Sequence, residues 1–332
     1  MILITGATGI VGSHILVELL KRGQRTRALV RRESDFVAIQ QLLNQAQLKD
    51  DNVEYVEGDV TDPLSLVRAV SGCQDVYHCA AMVSFSPADL SRMNEVNVVG
   101  TSNVVNASLA EGIKRLCYIS STAAIGDELI SGYLSEQSGW TSDKHRSGYS
   151  LSKRYAELEV QRGRQEGLSA VIVNPGIIIG AGQWGKSSTS MIVSCRNGMR
   201  FYPTGSNGFV DARDVARFSI EAIEKGLFEG RYLLVGENAS YHRIFTLICE
   251  SLGAAKPSIK IPKALANPVR RVLYIMDLMR INPFGITAET MQSAYRNVRY
   301  DNSNATALGF KFHTMEEAVG SAVSVYQTNQ GS

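Results

Sequence analysis

Tyr149 and Lys153 place a phenol and an ammonium group four residues apart at the start of a predicted helix. At this spacing both side chains project from the same face of the helix. A free tyrosine has a pKa of about 10 and is poorly matched to neutral pH, but a neighbouring cation lowers that pKa, at about 1.4 kcal/mol per unit. The pair can therefore deliver a proton to the alkoxide that forms when hydride reduces a carbonyl group. An exposed pair on a surface helix would have the same spacing.

A second chemical signal is the glycine-rich run at residues 5–12, Thr-Gly-Ala-Thr-Gly-Ile-Val-Gly, which lies between an apolar β-branched run and a helical apolar pattern. We expect Gly6 to let the chain turn sharply, Gly9 to let the backbone approach a pyrophosphate, and Gly12 to let the helix pack closely on the sheet. The free N–H groups at the start of a helix bind phosphate. The run predicts a dinucleotide site, whose phosphate-binding residues would be Gly6, Thr8, Gly9, Ile10 and Gly12.

Two arginines, Arg31 and Arg32, follow the second predicted strand. At this position an NAD enzyme places a carboxylate on the 2′-hydroxyl of the adenosine ribose. An arginine fork instead pairs bidentately with phosphate. We therefore expect NADP as the cofactor, with NAD as the alternative; a solvated basic loop would have the same sequence.

The fourth predicted strand ends in small residues, which permit a nucleotide to approach the carboxyl ends of the strands closely. These residues are Cys79, Ala80 and Ala81. We expect the preceding His78 to be a satisfied interior histidine rather than a ligand.

The elements that must position these groups alternate along the first two thirds of the chain. Predicted strands cover residues 2–4, 26–30, 53–56, 75–78, 116–120 and 170–173, and predicted helices cover residues 36–46, 64–70, 90–110 and 149–164. This alternation predicts an α/β fold, a doubly wound Rossmann parallel sheet covered on both faces. We predict a dinucleotide-binding domain of residues 1–175 and 209–235. Residues 176–208 and 236–332 would form a smaller, discontinuous C-terminal substrate lobe.

Composition narrows the class of protein. With 34 lysine and arginine residues against 32 aspartate and glutamate residues, the formal net charge of +2 argues against a nucleic-acid partner. A hydrophobic content of 44% and 29 glycines against 8 prolines exclude disordered, collagenous and coiled-coil chains. Five cysteines without a Cys-x-x-Cys pair, and no histidine pair at helical spacing, predict a reduced, cytoplasmic protein without a metal site.

Two apolar segments need a separate interpretation. The run at residues 1–4 is too short for the apolar core of a signal peptide, so we expect no export. Segment 265–280 contains Pro268, Arg271 and Asp277 and cannot supply the roughly 20 apolar residues of a membrane span. We predict an amphipathic helix there, which covers the cleft, forms an interface or contacts a lipid surface.

The spacing Gly-x-x-Gly-x-x-Gly, together with the Tyr-x-x-x-Lys pair, resembles the extended branch of the short-chain dehydrogenase/reductase superfamily. The resemblance implies that Ser121, in the run Tyr118-Ile119-Ser120-Ser121-Thr122, is the catalytic hydroxyl that polarises the substrate oxygen. Thr122 takes that role if the register is shifted by one residue. Tyr149 is then the proton donor, and Lys153 also holds the ribose hydroxyls of the nicotinamide.

The resemblance also extends the cofactor site. It implies that Asp59 accepts from the adenine amine beside Val60, although Asp59 also suits a turn at a strand end. Asn97 matches an asparagine that props the active-site backbone. The run Asn174-Pro175-Gly176 resembles the loop that packs against the nicotinamide, with Pro175, Gly176 and Ile178 as cofactor contacts.

Three functions remain open at this point. The combination of motifs is most similar to bacterial proteins resembling dihydroflavonol 4-reductase, which implies NADP-dependent reduction of a ketone or aldehyde. The first alternative is a nucleotide-sugar epimerase or dehydratase with tightly bound NAD, for which Arg213 and Arg231 could hold a sugar diphosphate. The second alternative is a non-catalytic nucleotide-binding regulator, a class that usually lacks part of the serine, tyrosine and lysine set.

The substrate cleft is expected to have mostly apolar walls, which favours a small apolar or aromatic carbonyl compound. Core packing would explain the same residues, which are Met82, Val83, Phe85, Thr122, Ala123, Met191 and Phe209. His145, four residues before Tyr149, is expected to be a partly exposed histidine rather than a second acid. The resemblance implies a possible homodimer through the helices at 90–110 and 149–164.

Overall fold

The computed structural model describes residues 1–144, 146–278 and 287–328. Its strands are β1 (Ile2–Thr5), β2 (Thr26–Val30), β3 (Val53–Glu57), β4 (Asp75–His78), β5 (Arg115–Ile119), β6 (Ser169–Pro175), β7 (Ile177–Ile179), β8 (Phe201–Tyr202), β9 (Ser206–Asp211), β10 (Arg231–Leu234), β11 (Glu237–Ser240) and β12 (Ile259–Lys260). Its α-helices are α1 (Ile10–Lys21), α2 (Val37–Ala46), α3 (Pro63–Val70), α4 (Leu90–Asn94), α5 (Gly100–Ala110), α6 (Gly148–Gln165), α7 (Ser190–Arg196), α8 (Ala212–Glu224), α9 (Tyr241–Leu252), α10 (Lys263–Leu278), α11 (Ala288–Ser293), α12 (Ser303–Ala307) and α13 (Met315–Thr328).

Seven parallel strands form the main sheet in the described part of the chain, in the order β3-β2-β1-β4-β5-β6-β10. Helices α1, α2 and α8 pack on one face, and α3, α5 and α6 pack on the other. Covering both faces requires nearly continuous apolar strands, and β1 and β5 supply them. The predicted doubly wound Rossmann fold is therefore confirmed. The strand order reverses beside β1, which is where ligands bind in such sheets.

A smaller body of structure packs beside the carboxyl ends of these strands. Strands β7, β9 and β11 form a mixed sheet, and β8 pairs with β12. Helices α7, α9 and α13 close an apolar core over that sheet, with Phe209, Ile248 and Met315 among its buried members. Strand β10, at residues 231–234, belongs to the main sheet. The division into two domains stays a prediction.

The predicted helix at 90–110 is interrupted. The structure has α4, then a π-helical turn at Glu95–Val99, then α5. The prediction of one regular α-helix from residue 90 to 110 is therefore wrong. The π-helical turn contains about one residue more than an α-helical turn, so it shifts the positions that share a face on either side of it. Apolar periodicity does not reveal such a turn, since its cause lies in contacts with distant residues.

Two other predicted features lie at the edge of the described residues. Residues 263–278 form α10, so the predicted helix at 265–280 is described up to residue 278 only. His145 lies outside the described residues. Among the helices that the structure does describe, none is both long enough and apolar enough to cross a membrane.

Candidate active site

Two glycines of the glycine-rich turn lie too close to neighbouring backbone atoms to carry a side chain. Gly6 has φ +67°, and a Cβ there would lie 2.6 Å from the backbone nitrogen of Ala80. A Cβ on Gly12 would lie 2.2 Å from the carbonyl oxygen of Gly6. Gly9 is the N-cap of α1 and brings no side chain to its first turn, while Thr8 and Ile10 are partly exposed. The turn therefore presents bare backbone N–H groups to the cleft, which fits a pyrophosphate.

His78 is a satisfied interior histidine, as expected. Thr101 Oγ1 donates to the Asn97 carbonyl (2.6 Å) and so accepts from His78 Nε2 at 3.0 Å. His78 Nδ1 then accepts from Thr5 Oγ1 at 2.7 Å, and that oxygen accepts from the Ala80 N–H. Burial lowers the pKa of His78 to about 3, so the ring is neutral. The chain of hydrogen bonds holds the strand end that carries Cys79, Ala80 and Ala81.

Asn97 ties three segments of the site together from within the π-helical turn. Its Oδ1 accepts from the Met82 N–H at 2.7 Å, and its Nδ2 donates to the Met82 carbonyl at 2.9 Å. The same Nδ2 lies 2.9 Å from Ser152 Oγ, and Ser152 donates to the Tyr149 carbonyl. This is the backbone-propping geometry that the resemblance implied for Asn97.

Lys153 is buried at the centre of the site, with 2% of its surface exposed. Its Nζ donates to the Ile119 carbonyl at 2.8 Å and to Tyr118 Oη at 3.2 Å, which uses two of its three N–H groups. Burial lowers the pKa of Lys153 to about 8, and the negative charge of Glu157 opposes that shift. The ammonium is therefore largely retained at neutral pH.

Tyr149 and Ser121 meet across the cleft. Burial raises the pKa of the Tyr149 phenol above its ordinary value, and a side-chain hydrogen bond with Ser121 opposes the rise. We expected Lys153 to lower this pKa, but the dominant effect on the phenol is burial. Ser121 caps the short 3₁₀ turn at Thr122–Ala124, where its Oγ accepts from the Ala123 N–H at 3.1 Å. Phe85 packs edge-to-face on the Tyr149 ring, with 5.6 Å between ring centroids.

Glu157 is a site residue that the sequence analysis missed. It is fully buried, one helical turn after Lys153. Its Oε1 accepts from Ser120 Oγ at 2.5 Å and from Asn174 Nδ2 at 2.6 Å, and its Oε2 pairs with Arg231 at 3.1 Å. The signal was present in the sequence, since residues 149, 153 and 157 share one helical face.

Asn174 continues this network toward the predicted nicotinamide loop. Its Nδ2 also donates to the Ser121 carbonyl at 3.0 Å. Pro175 is buried, and Gly176 donates to the Leu234 carbonyl at 3.0 Å. A Cβ on Gly176 would lie 2.4 Å from the Gly208 carbonyl oxygen, and Ile178 is partly exposed. The loop is thus held rigidly beside Ser121.

A cavity of about 530 Å³ opens where β2 and β3 end against α4. Its lining residues are Arg31, Asp59, Thr61, Ala88, Asp89, Ser91, Arg92, Glu95 and Val96. Arg32 is not among them, and Arg92 was not singled out in the sequence. Val60 is buried and does not line the cavity. Asp59 Oδ1 accepts from the N–H and the hydroxyl of Thr61, so Asp59 also makes the strand-end turn considered as its alternative role.

The residues expected to line the substrate cleft divide into two groups. Met82, Val83, Phe85, Thr122 and Ala123 are partly or largely exposed, and Thr122 and Ala123 directly follow Ser121. Phe209 is fully buried against Tyr241 in the core of the smaller body, so the expectation that its side chain lines the cleft is wrong. Its strand was assigned to the cleft by position in the sequence, but its side chain faces inward. Met191 packs against the same core.

Tyr300 is a second residue that the sequence did not reveal at the site. Its hydroxyl makes a side-chain hydrogen bond with Thr122, and burial raises the pKa of the phenol.

Arg213 and Arg231, which the sequence analysis considered as ligands of a sugar diphosphate, form ion pairs with carboxylates of the protein itself. Arg213 pairs with Asp211 at 2.5 Å, while Arg231 pairs with Glu157 and donates to the Glu136 carbonyl at 2.7 Å.

Several known proteins are similar to this chain over most of its length. The chain is 32% identical over 271 residues to sterol demethylase protein B of Methylococcus capsulatus, covering 80% of this chain and 79% of that protein. It is 30% identical over 337 residues to the "Putative dihydroflavonol 4-reductase" of Synechocystis sp., covering 98% and 94%. The crystal structure of gox2253 is similar with a TM-score of 0.81 at 32% identity, covering 99% of this chain and 98% of that chain.

The family model described as the NAD dependent epimerase/dehydratase family matches residues 2–236. This match contains the glycine turn, Ser121, Tyr149 and Lys153, and it agrees with the seven-stranded parallel sheet. The chain therefore belongs to the NAD dependent epimerase/dehydratase family and is an NAD(P)-dependent oxidoreductase of the extended short-chain dehydrogenase/reductase type.

Proposed function

We propose that the protein reduces a ketone or aldehyde on a small apolar or aromatic molecule with NADPH, with Tyr149 as the proton donor. The observation that carries this proposal is the side-chain hydrogen bond between the Ser121 hydroxyl and the buried Tyr149 phenol, with the buried Lys153 one turn further along the same helix. When bound, the nicotinamide supplies the hydride. Retention of all three side chains argues against a non-catalytic regulator.

Each side chain has a separate task in this proposal. Ser121 donates to the substrate oxygen and polarises the carbonyl group. Tyr149 gives its proton to the forming alkoxide, and its raised pKa keeps it protonated until that step. Lys153 uses its remaining N–H group to hold the nicotinamide ribose. Asn97 fixes the Tyr149 helix against the end of β4.

The preference for NADP is supported by the cavity at the ends of β2 and β3. Arg31 and Arg92 bring two guanidinium groups to that cavity, and a guanidinium pairs well with a 2′-phosphate. The cavity also carries carboxylates, of which Asp59 and Asp89 accept hydrogen bonds from Thr61 and Ser84. NAD enzymes instead place a carboxylate on the ribose 2′-hydroxyl. In this cavity Glu95 is the carboxylate whose contact with the ribose would favour NAD over NADP.

The substrate class follows from the walls of the cleft. Phe85 packs on the Tyr149 ring, and Met82 and Val83 are exposed apolar residues of the same loop. Arg213 and Arg231, which could have held a sugar diphosphate, are bound to carboxylates of the protein itself. This disfavours the epimerase or dehydratase alternative. The names of the sterol and dihydroflavonol relatives agree with a ring-containing apolar substrate.

The test is to identify the dinucleotide that the purified protein carries. The protein is purified without added nucleotide and denatured, and any released dinucleotide is identified by mass; the measurement is repeated after dialysis against excess free cofactor. We expect NADP that exchanges freely. NAD that survives dialysis would contradict the reductase proposal and support the cofactor-recycling alternative.

A second test addresses the two arginines. Replacing either one, by Arg31→Ala or Arg92→Ala, should weaken binding of NADPH at least tenfold while changing binding of NADH little, because only NADPH carries the 2′-phosphate. Arg32→Ala is the matched control, since Arg32 does not line the cavity. Equal losses for both cofactors would remove the assignment.

The proposed partner is a small-molecule carbonyl compound, and the proposed compartment is the cytoplasm. All five cysteines are free thiols, four of them buried. This is the state that a reducing compartment maintains.

A further inference from the structure

One edge of the smaller body concentrates positive charge without any acidic residue. We call residues 196–202 and 256–272 the basic edge; they contain β8, β12 and most of α10. Seven of the 34 lysine and arginine residues lie there and none of the 32 acidic residues, so the rest of the chain has a formal net charge of −5. The seven are Arg196, Arg200, Lys256, Lys260, Lys263, Arg270 and Arg271. The small overall charge of the protein therefore hides a strong asymmetry.

The two parts of the basic edge are joined in space. β8 pairs with β12, and the backbone N–H groups of Ser258 and Ile259 both donate to the Arg200 carbonyl. Helix α10 begins three residues after β12 ends. Lys256 forms an ion pair with Glu250, which lies on α9 just outside the edge.

Apolar side chains stand exposed among these cations. Phe201 and Ile259 are directly paired across β8 and β12 and are 51% and 46% exposed. The next residue, Tyr202, stacks on His242 of α9 with 4.0 Å between the ring centroids. Because successive side chains of a strand point to opposite faces, Phe201 faces away from the body of the protein.

Helix α10 also carries exposed apolar side chains close to basic residues. Val269 and Val272 are 48% and 57% exposed and lie on one flank of the helix, whereas Ala266 and Leu273 are buried on another. Arg271 is also exposed, on the side of the helix away from the buried flank. An apolar flank bordered by lysine and arginine is the pattern of helices that lie in the plane of a membrane interface.

We propose that the basic edge docks the protein on an anionic lipid surface. Clustered lysine and arginine side chains are attracted to the negative surface potential of such a surface, while Phe201, Ile259, Val269 and Val272 insert between the lipid headgroups. A nucleic acid or an acidic protein would use the cations but would leave these apolar side chains in water. The docking places the smaller body, and with it the cleft, beside the lipid.

The experiment is co-sedimentation of the full-length protein with vesicles, without cofactor or substrate, so the outcome does not depend on the proposed reaction. Vesicles of phosphatidylcholine alone are compared with vesicles that also contain phosphatidylserine. We expect binding to the anionic vesicles only, and weaker binding as salt concentration rises. Protein that stays in solution with the anionic vesicles would overturn the proposal.

Charge-reversal variants locate the surface. The double variant Lys260→Glu/Arg271→Glu should lose at least about thirtyfold in vesicle partitioning, because each lost cation costs about 1 kcal/mol and each new carboxylate is repelled by the anionic surface. The matched control is Lys49→Glu/Lys114→Glu, which changes net charge equally at exposed positions of the main sheet domain. An equal loss in both variants would overturn the assignment to the basic edge.

The apolar contribution distinguishes lipid from other polyanions. Val269→Ser/Val272→Ser should weaken vesicle binding, whereas Val37→Ser/Val67→Ser, at exposed positions of α2 and α3, should not. Retention on an oligonucleotide or on polyglutamate without binding to anionic vesicles would contradict the lipid proposal. Turnover of a soluble ketone without vesicles should be the same in all variants, which separates failure of docking from failure of the proposed reaction.

Discussion

In the proposed reaction Tyr149 donates its proton from a buried position, so removal of its hydroxyl should affect chemistry and not cofactor binding. We predict that Tyr149→Phe lowers kcat about 10²- to 10⁴-fold, because the alkoxide loses its proton donor, while the Kd for NADPH stays nearly unchanged. Steady-state kinetics and cofactor fluorescence titration measure the two quantities. Tyr155→Phe is the control, because Tyr155 lies exposed on the same helix with its hydroxyl on Asp143. Full activity of Tyr149→Phe would remove Tyr149 as the acid.

We predict that Lys153 sets the pH range of the proposed reaction. Burial lowers its pKa from 10.5 to about 8, so the ammonium is present below that pH and is lost above it. The kcat/KM for reduction should therefore fall as pH rises through about 8. Glu157→Gln removes a negative charge that raises this pKa, so the falling limb should move to lower pH.

The control for this pH shift is Glu159→Gln, on the same helix, whose carboxylate pairs with Arg162 near the surface. A limb that stays in place or moves to higher pH in Glu157→Gln would contradict the role of Glu157. The shift separates an electrostatic effect on Lys153 from a loss of folding, since a merely destabilised enzyme keeps the pH profile of its folded fraction.

At the scale of elements, the turn between β1 and α1 depends on close backbone packing. We predict that Gly12→Ala lowers the free energy of unfolding by about 1–3 kcal/mol, because its Cβ would overlap the Gly6 carbonyl. Gly320→Ala on α13 is the matched control, since a Cβ there meets no atom within 4 Å and alanine favours the helix by up to about 1 kcal/mol. Denaturant unfolding measures both. Equal stability of the two variants would contradict the packing argument.

For the whole molecule, an apolar surface on the helices that flank the main sheet predicts a homodimer. Leu90, Val99, Tyr155 and Leu158 are exposed on α4, the π-helical turn and α6, the region that the family resemblance assigned to a four-helix contact. We predict a dimer by light scattering and a monomer for Leu158→Glu. Leu64→Glu on α3, 75% exposed and outside this surface, should leave the mass unchanged. A monomeric wild-type protein would contradict the prediction.

Which site features the sequence predicts depends on how far apart the interacting residues lie along the chain. The glycine turn, the strand ends and the Tyr149–Lys153 face follow from local spacing, because a turn or a helix face is set within a few residues. Glu157 lies on the same helical face, but its contacts, like those of Arg92 and Tyr300, could not be assigned in this way. Their partners, Arg231, the β2–β3 cavity and Thr122, are brought to them only when the sheet and its flanking helices assemble.

By itself the sequence determined the alternation of strands and helices, and hence the parallel sheet with its nucleotide turn at β1. Hydrophobic periodicity and glycine spacing are local properties that survive without any knowledge of the packing. Only the tertiary structure decided that Phe209 faces a core, that α4 and α5 are joined by a π-helical turn, and that Arg213 and Arg231 are already paired. These outcomes depend on which side chains meet across the fold, and burial and pairing are properties of the assembled protein rather than of any segment.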